Sequence, residues 1–259
     1  MTAKTLLLFF ITTSIIYASE NQNQKRKLNN NSTLTFLETP KEVDKLSEFL
    51  SKGEFYGRFR LNSFSFDWDD EVEGKTGDHQ TIGVGGSIHY KSAYFNGLGL
   101  TTGLYTSQNP WHMDDENLAY YKVGKGVLNR HDVATKNKYG MSNLAVAYLE
   151  LKDEKNSVKI GRQIVESYLT KSNDIKMIPN TFEGITWESK AIAEHRFWSG
   201  YLVKQKLRDH NNFHHLFADD DGAGEYDKWR ENDDTVALDG KKKLNSSYTD
   251  IRFELNYLF

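Results

Sequence analysis

The chain has 259 residues, room for one large or two modest domains, and its 33 Lys and Arg nearly balance 36 Asp and Glu for a net charge of -3. That balance gives no global electrostatic pull toward nucleic acid. Cysteine is absent, which excludes disulfides, thiolate metal sites and cysteine nucleophiles, while 19 glycines, 3 prolines and 13% aromatics suit a strand-rich protein with many turns.

At the start, Lys4 precedes the apolar run Leu6 to Ile16, and small residues follow with a cleavage point after Ala18 or Ser19. This pattern predicts a secretory signal over residues 1–19. The run is well short of the roughly 20 residues a spanning helix needs. No later segment is longer and apolar, so membrane residence has to come from strands. Residues 20–54 hold a polar stretch, "NQNQKRKLNNNST", expected to lack structure, and then "TPKEVDKLSEFLSKG". There Thr39 is placed to cap a helix, Pro40 to sit at its first position, Glu42 to complete a capping box and Gly53 to stop it. Val43, Leu46, Phe49 and Leu50 form one apolar stripe, which predicts a short amphipathic helix lying outside the main fold.

From Phe55 to Phe259 the apolar period becomes two. Strands are expected near 55–66, 81–91, 98–106, 143–152, 157–163, 181–189, 196–205 and 248–259. Most approach the 9 to 11 residues required of a membrane-spanning strand. Their connections alternate between long polar segments and turns of a few residues. A soluble sandwich has no reason to sort its loops in this way, whereas an outer-membrane barrel has short turns on one side and long loops on the other. The fold class that follows is all-β: an antiparallel transmembrane β-barrel of about 8–10 strands, residues 55–259, behind a short periplasmic helix.

On the last strand Ile251, Phe253, Leu255, Tyr257 and Phe259 face one way and Asp250, Arg252, Glu254 and Asn256 the other. The first set suits lipid, the second a watery lumen. To close a barrel, this strand has to pair with the first one, near "YGRFRLNSF".

The stretches "LSEFLSKGEFYGRFRLNSFSF", "YKSAYFNGLGLTTGLYTSQ" and "VKIGRQIVESYLTKSNDIKMIPNTFEGITWESK" resemble the Opr branch of the OprD-like outer-membrane porins. The most specific feature is "GRQ" followed, after a loop, by "PNTFEG". The resemblance implies a bacterial outer-membrane channel for small polar solutes, with basic residues on one wall of the lumen and acidic ones on the other. Family members have 16 to 18 strands, the size that leaves an aqueous channel, whereas eight-strand barrels are filled by their own side chains. Phe253, Leu255, Tyr257 and Phe259 also resemble the terminal signal read by the barrel assembly machinery.

Strand parity puts Arg58, Arg60, Glu150, Lys159, Gln163, Glu188, Arg252 and Glu254 on the lumen side, and Arg162 on the lipid side or the rim. Two readings stand for the lumen set: a pore that uses these charges to set ion preference, or a small barrel whose interior they fill by pairing. By resemblance, segment 164–180 is a candidate constriction loop, with Glu166, Lys171 and Asp174 placed to meet solute. A solvated external loop is the alternative.

His210, His214 and His215, followed by Asp219, Asp220, Asp221 and Glu225, offer metal-ligand types without the spacing of a zinc or calcium motif. No metal site or cofactor is expected. No nucleophile elbow or phosphate-cradling glycine loop occurs, so no enzyme is expected either. The leading function is passive diffusion of small polar or charged solutes. The alternatives are a non-conducting outer-membrane anchor or adhesin, and a soluble secreted β-barrel that binds a small ligand. The partners implied are outer-membrane lipid and lipopolysaccharide, the assembly machinery, small polar solutes and further copies of the chain, with no nucleic acid.

Overall fold

The computed structural model describes residues 26–29, 33–36, 38, 40–66, 79–112, 127–193, 195–216 and 248–255. The signal sequence, Tyr257, Phe259 and the acidic residues 219–221 lie outside the described residues.

In chain order the elements are β1 (Arg26–Leu28), β2 (Leu34–Phe36), α1 (Leu46–Ser51), β3 (Glu54–Phe66), β4 (His79–Lys91), β5 (Leu98–His112), α2 (Arg130–Lys136), β6 (Gly140–Lys152), β7 (Asn156–Gln163), β8 (Thr181–Ser189), β9 (His195–Lys206), β10 (His214–His215) and β11 (Tyr248–Leu255). β3 to β9 form an antiparallel up-and-down sheet in sequence order, and β10 and β11 both pair with the far flank of β9. All eight long strands fall where the period-two pattern predicts them. Their connections sort as expected: 92–97, 153–155 and 190–194 define a short-turn rim, and the longer 67–78, 113–139, 164–180 and 207–247 begin at the other.

The two faces of the sheet differ in chemistry. Phe55, Phe59, Leu61, Ile88, Leu104, Trp111, Leu149, Leu151, Ile160, Ile185 and Ile251 point outward and are exposed. Thr101, Gly103, Tyr105 and Ser107 alternate with them on β5 and are buried on the concave side. Exposed apolar residues at this density are costly in water and favourable against lipid chains. No described helix is long and apolar enough to cross a membrane.

Bulges keep the alternation in register. The β4–β5 ladder slips between Ile82 and Val84, opposite the stretch that holds Pro110, which cannot donate a ladder bond. Between Gly103 and Leu104 the β5–β6 ladder slips again, so that Ala145 and Val146 both turn inward. Two glycines permit close approach. At Gly86, φ is 143° and a Cβ would collide with the Arg58 carbonyl; at Gly99 a Cβ would lie 2.6 Å from the Tyr94 ring.

The core lies inside the concavity. Tyr105, Met141, Ala145 and Val146 from the wall pack with Val127, Met177 and Ile178 from the long connections. α2 stands in the connection 113–139, a helix absent from the sequence expectation. Asn129 caps it by accepting from the Asp132 amide at 2.9 Å, Lys136 pairs with Asp132 four residues earlier, and Asn137 ends it in the left-handed region.

Three local expectations differ. α1 starts at Leu46 rather than Pro40, because Glu42 forms a parallel bridge with Tyr94 and its carboxylate accepts from the Gly97 amide at 3.0 Å. Tertiary pairing with the turn 92–97 thus outcompetes the capping box. The polar stretch before it supplies β1, which pairs antiparallel with β2 just after the stretch, and Asn29 donates to Thr33 and Thr35 at 2.9 and 2.8 Å. Last, β11 pairs with β9 along Tyr248 to Leu255, and among the described residues no pairing joins it to β3. Among the described residues the sheet is an open, partial barrel, and its concave side is occupied by chain.

Candidate functional site

The concave wall and the segment that folds against it form the candidate site. Alternation along β3 turns Arg58 and Arg60 inward, where segment 164–180 meets them. Arg58 Nη2 donates to Asp174 Oδ2 at 2.8 Å and Arg60 Nη1 to Asp174 Oδ1 at 2.7 Å, while Arg60 Nη2 reaches the Asp174 carbonyl at 2.9 Å. Arg60 also donates to the Lys176 carbonyl. The Asp174 side chain has no exposed surface and those of the arginines about a tenth. A carboxylate shared by two guanidiniums in this geometry is a strong, directional clamp.

Local chemistry shapes the segment so that it reaches this place. Ser167 accepts from the amides of Leu169 and Thr170, Glu166 accepts from Ser172, and Asn180 ties back to the Ser172 and Lys171 carbonyls. Lys206, fully buried, donates to the Pro179 carbonyl at 3.0 Å. Glu166 therefore holds the loop's own shape, and Lys171 is mostly exposed at 3.7 Å from it. Of the three residues expected in a constriction, Asp174 grips the wall through its side chain, and Glu166 meets it through its carbonyl.

Toward the short-turn rim lies a second charge network. Lys91 Nζ sits 3.1 Å from Glu150 Oε2, and the same carboxylate accepts from Tyr94 at 2.6 Å and from Ser157 at 2.7 Å. Burial, together with the bond to Glu150, pushes the Tyr94 phenol well above its ordinary value, so it stays a donor. Lys152 Nζ stands 3.6 Å over the Tyr94 ring, a cation–π contact. Lys159 lies 5.4 Å over Tyr148, and Glu188 pairs with Arg196 at 2.8 Å and Lys190 at 3.4 Å. Gln163 accepts from Thr186 at 2.8 Å. Sequence parity missed Lys91, His89 and Arg196 on this wall. The signal was present, since Ile88 and Tyr90 point outward and His89 and Lys91 alternate with them.

The β1–β2 hairpin faces the same wall. Between them is a cavity of about 290 Å³ lined by Asn29, Thr33, Phe36, His89, Lys159 and Gln163, among others. Phe36 is one of the two rings near Lys91, whose Nζ is 5.7 Å from its centroid.

On β11, Arg252 points inward. It donates to Asp250 at 2.7 Å and to the Glu166 carbonyl at 2.8 Å, and its guanidinium lies 4.5 Å over Trp198. The backbones of Phe253, Glu254 and Leu255 continue the strand opposite Phe197, Arg196 and His195. Arg162 is at the outer rim, 3.8 Å from Glu183 and 4.5 Å over Phe213. His210 and His214 are hydrogen-bonded ring to ring at 2.7 Å, and among the described residues no group of three or more metal-binding side chains occurs.

A sheet that is apolar outside, charged inside and sorted into short turns and long loops is the wall of an outer-membrane β-barrel. Residues 49–245 match the model of the outer membrane porin OprD family, and the chain belongs to that family. It is thus a protein of the bacterial outer membrane. Among solved structures it is similar to a BenF-like porin from Pseudomonas fluorescens Pf-5, with a TM-score of 0.51 and 16% identity over 64% of this chain and 40% of that one. Acinetobacter baumannii OccAB3 gives 0.52 and 18% over 65% and 40%. Pseudomonas aeruginosa OccK9 (OpdG) gives 0.50 and 19% over 68% and 44%. The chain spans less than half the length of these porins, and at such identities the likeness concerns the fold. No curated protein matches the sequence.

Proposed function

We propose that the protein forms a passive outer-membrane channel for small polar or charged solutes, with no covalent chemistry. The observation that carries this reading is the charged concave wall, on which Arg58 and Arg60 face the inward Asp174 and Lys91 pairs with Glu150. Charges so placed set ion preference through field and bore width. Family membership supports the same reading. Outer-membrane lipid and lipopolysaccharide would surround the apolar belt, and the assembly machinery would insert the barrel.

The test is conductance in planar bilayers by protein extracted from outer membranes. Steady current steps are expected, and Arg58→Gln with Arg60→Gln should move the reversal potential toward cation preference. Correctly folded protein that never gives steps sinks the reading. A second reading, a non-conducting anchor, is favoured by the burial of Met177, Ile178 and Asp174, which fill part of the concavity. For an anchor, the same recordings stay silent while the long loops bind a surface.

A further inference from the structure

α1 stands at the short-turn rim and buries none of its own residues. Main chain holds it there: the Ala93 amide donates to the Phe49 carbonyl at 3.0 Å, and just before the helix the Val43 amide donates to the Tyr94 carbonyl at 2.8 Å. Its far end is fixed on the outer side of the wall. Tyr90, which points outward from β4, donates its phenol to the Leu50 carbonyl at 2.5 Å, and a Cβ at Gly53 would collide with the same ring. Tyr90 also pairs with the outward Phe55, their ring centroids 4.8 Å apart. Leu46 and Leu50, one turn apart on a single face, are 68% and 59% exposed, and Phe55, where the lipid belt begins, is 72% exposed. An isolated helix shorter than roughly 12–15 residues is marginal in water, so this short one depends on its bonds to the rim and on whatever meets its leucines.

We propose that α1 is a membrane-seated helix: it lies in the headgroup layer of the leaflet at the short-turn side, with Leu46 and Leu50 inserted among the lipid chains. Continuity with the lipid belt carries this. Aromatic residues collect at the two levels where a barrel leaves the hydrocarbon, and Tyr90 with Phe55 occupies one of them. α1 is bonded to Tyr90 from the rim side, so its exposed leucines extend the belt by one step toward water. Helices that lie in the interface plane carry apolar residues on one face and basic residues beside it. Lys45 and Lys52 flank α1 and are exposed, with stems long enough to run along the chains while the ammonium groups reach lipid phosphates. Ser47 and Ser51, each about 100° round from the leucine before it, are exposed on the water side, and Glu48 and Phe49 on the remaining side are partly covered. Short turns of outer-membrane barrels are periplasmic, so the lipid met here is phospholipid and not lipopolysaccharide. The seat rests on the outer-membrane placement of the family and is independent of conduction and of the number of strands that complete the barrel.

The chain has no cysteine, so a nitroxide can be attached at one chosen place. Leu46→Cys, Leu50→Cys, Ser47→Cys and Phe55→Cys are made as single variants of the full chain, extracted from outer membranes, labelled, checked for a heat-modifiable folded band and reconstituted in phosphatidylethanolamine–phosphatidylglycerol vesicles. Relaxation of each label by oxygen, which concentrates in lipid, is compared with relaxation by a water-soluble nickel chelate. Oxygen is expected to dominate at Leu46 and Leu50, as at Phe55, and the chelate at Ser47. Dominance of the chelate at either leucine overturns the proposal, because the helix then lies in water. Protection from both agents also overturns it, because protein rather than lipid then covers the face. If the chelate dominates at Phe55 as well, the barrel placement has failed together with the seat; if at the leucines alone, only the seat has. Leu46→Trp gives a second readout without a label: the fluorescence it adds over the wild type should be quenched when the vesicles contain brominated phospholipid, and an unquenched signal overturns the proposal.

Discussion

Two charge networks share the concave wall and are built in opposite ways. Around Glu150, every partner comes from the sheet or its short turns: Lys91 from β4, Tyr94 from the turn 92–97 and Ser157 from β7. Around Asp174, the wall supplies only the two arginines of β3 and the carboxylate comes from a loop more than a hundred residues away. The first network joins neighbours that the ladders already hold in place. The second fixes a segment that no ladder holds. Loss of a partner should therefore weaken the sheet in one case and free the loop in the other.

The sharpest way to break that comparison is Asp174→Ala. It leaves two nearly buried guanidiniums without their shared carboxylate, a change that costs about 3–5 kcal/mol. Segment 164–180 should become sensitive to protease while the barrel keeps its resistance to SDS at room temperature. Equal loss of both would show that the loop and sheet are one cooperative unit. Glu150→Gln comes next, at roughly 1.5–3 kcal/mol for weakened charge-assisted bonds. Here the temperature at which the folded band disappears on SDS gels should fall, with the loop's protease resistance unchanged. Tyr94→Phe removes one of the same bonds and should cost about 1–2 kcal/mol, at the lower end of that range.

The smallest effect concerns Asp153 in the turn 153–155. Bonds from the Lys155 amide, and then from the Asn156 side chain and amide, hold its carboxyl below the usual aspartate range. A depressed folded pKa adds stability above the unfolded value of 3.8 and loses it as the pH falls through the folded one. Unfolding midpoints measured across this acid range should drop for the wild type, and Asp153→Asn should flatten the drop by lowering stability slightly near neutral pH toward the acid level.

Much of this was legible in the sequence because lipid imposes a simple rule on strands. Ile251 outside and Arg252 inside follow from parity alone, and the eight strand positions follow from the period and the sorted loops. Asp174 was legible through family resemblance; its partners Arg58 and Arg60 were legible through parity, but their meeting was not, since it depends on a loop path. The start of α1 was obscured because Glu42 serves a bridge to Tyr94 that only the folded chain presents. A strand's lipid face does not record what fills the space behind it, and here the filling includes a hairpin that polar composition concealed.

Arg252 adds a consequence in time. Its guanidinium donates to the Glu166 carbonyl at 2.8 Å, so the final long strand touches the inward segment as well as β9. During insertion, a chain whose segment 164–180 has not yet settled offers its last strand one charge-assisted bond fewer. Seating of that strand and settling of segment 164–180 are therefore coupled through a single charge-assisted bond.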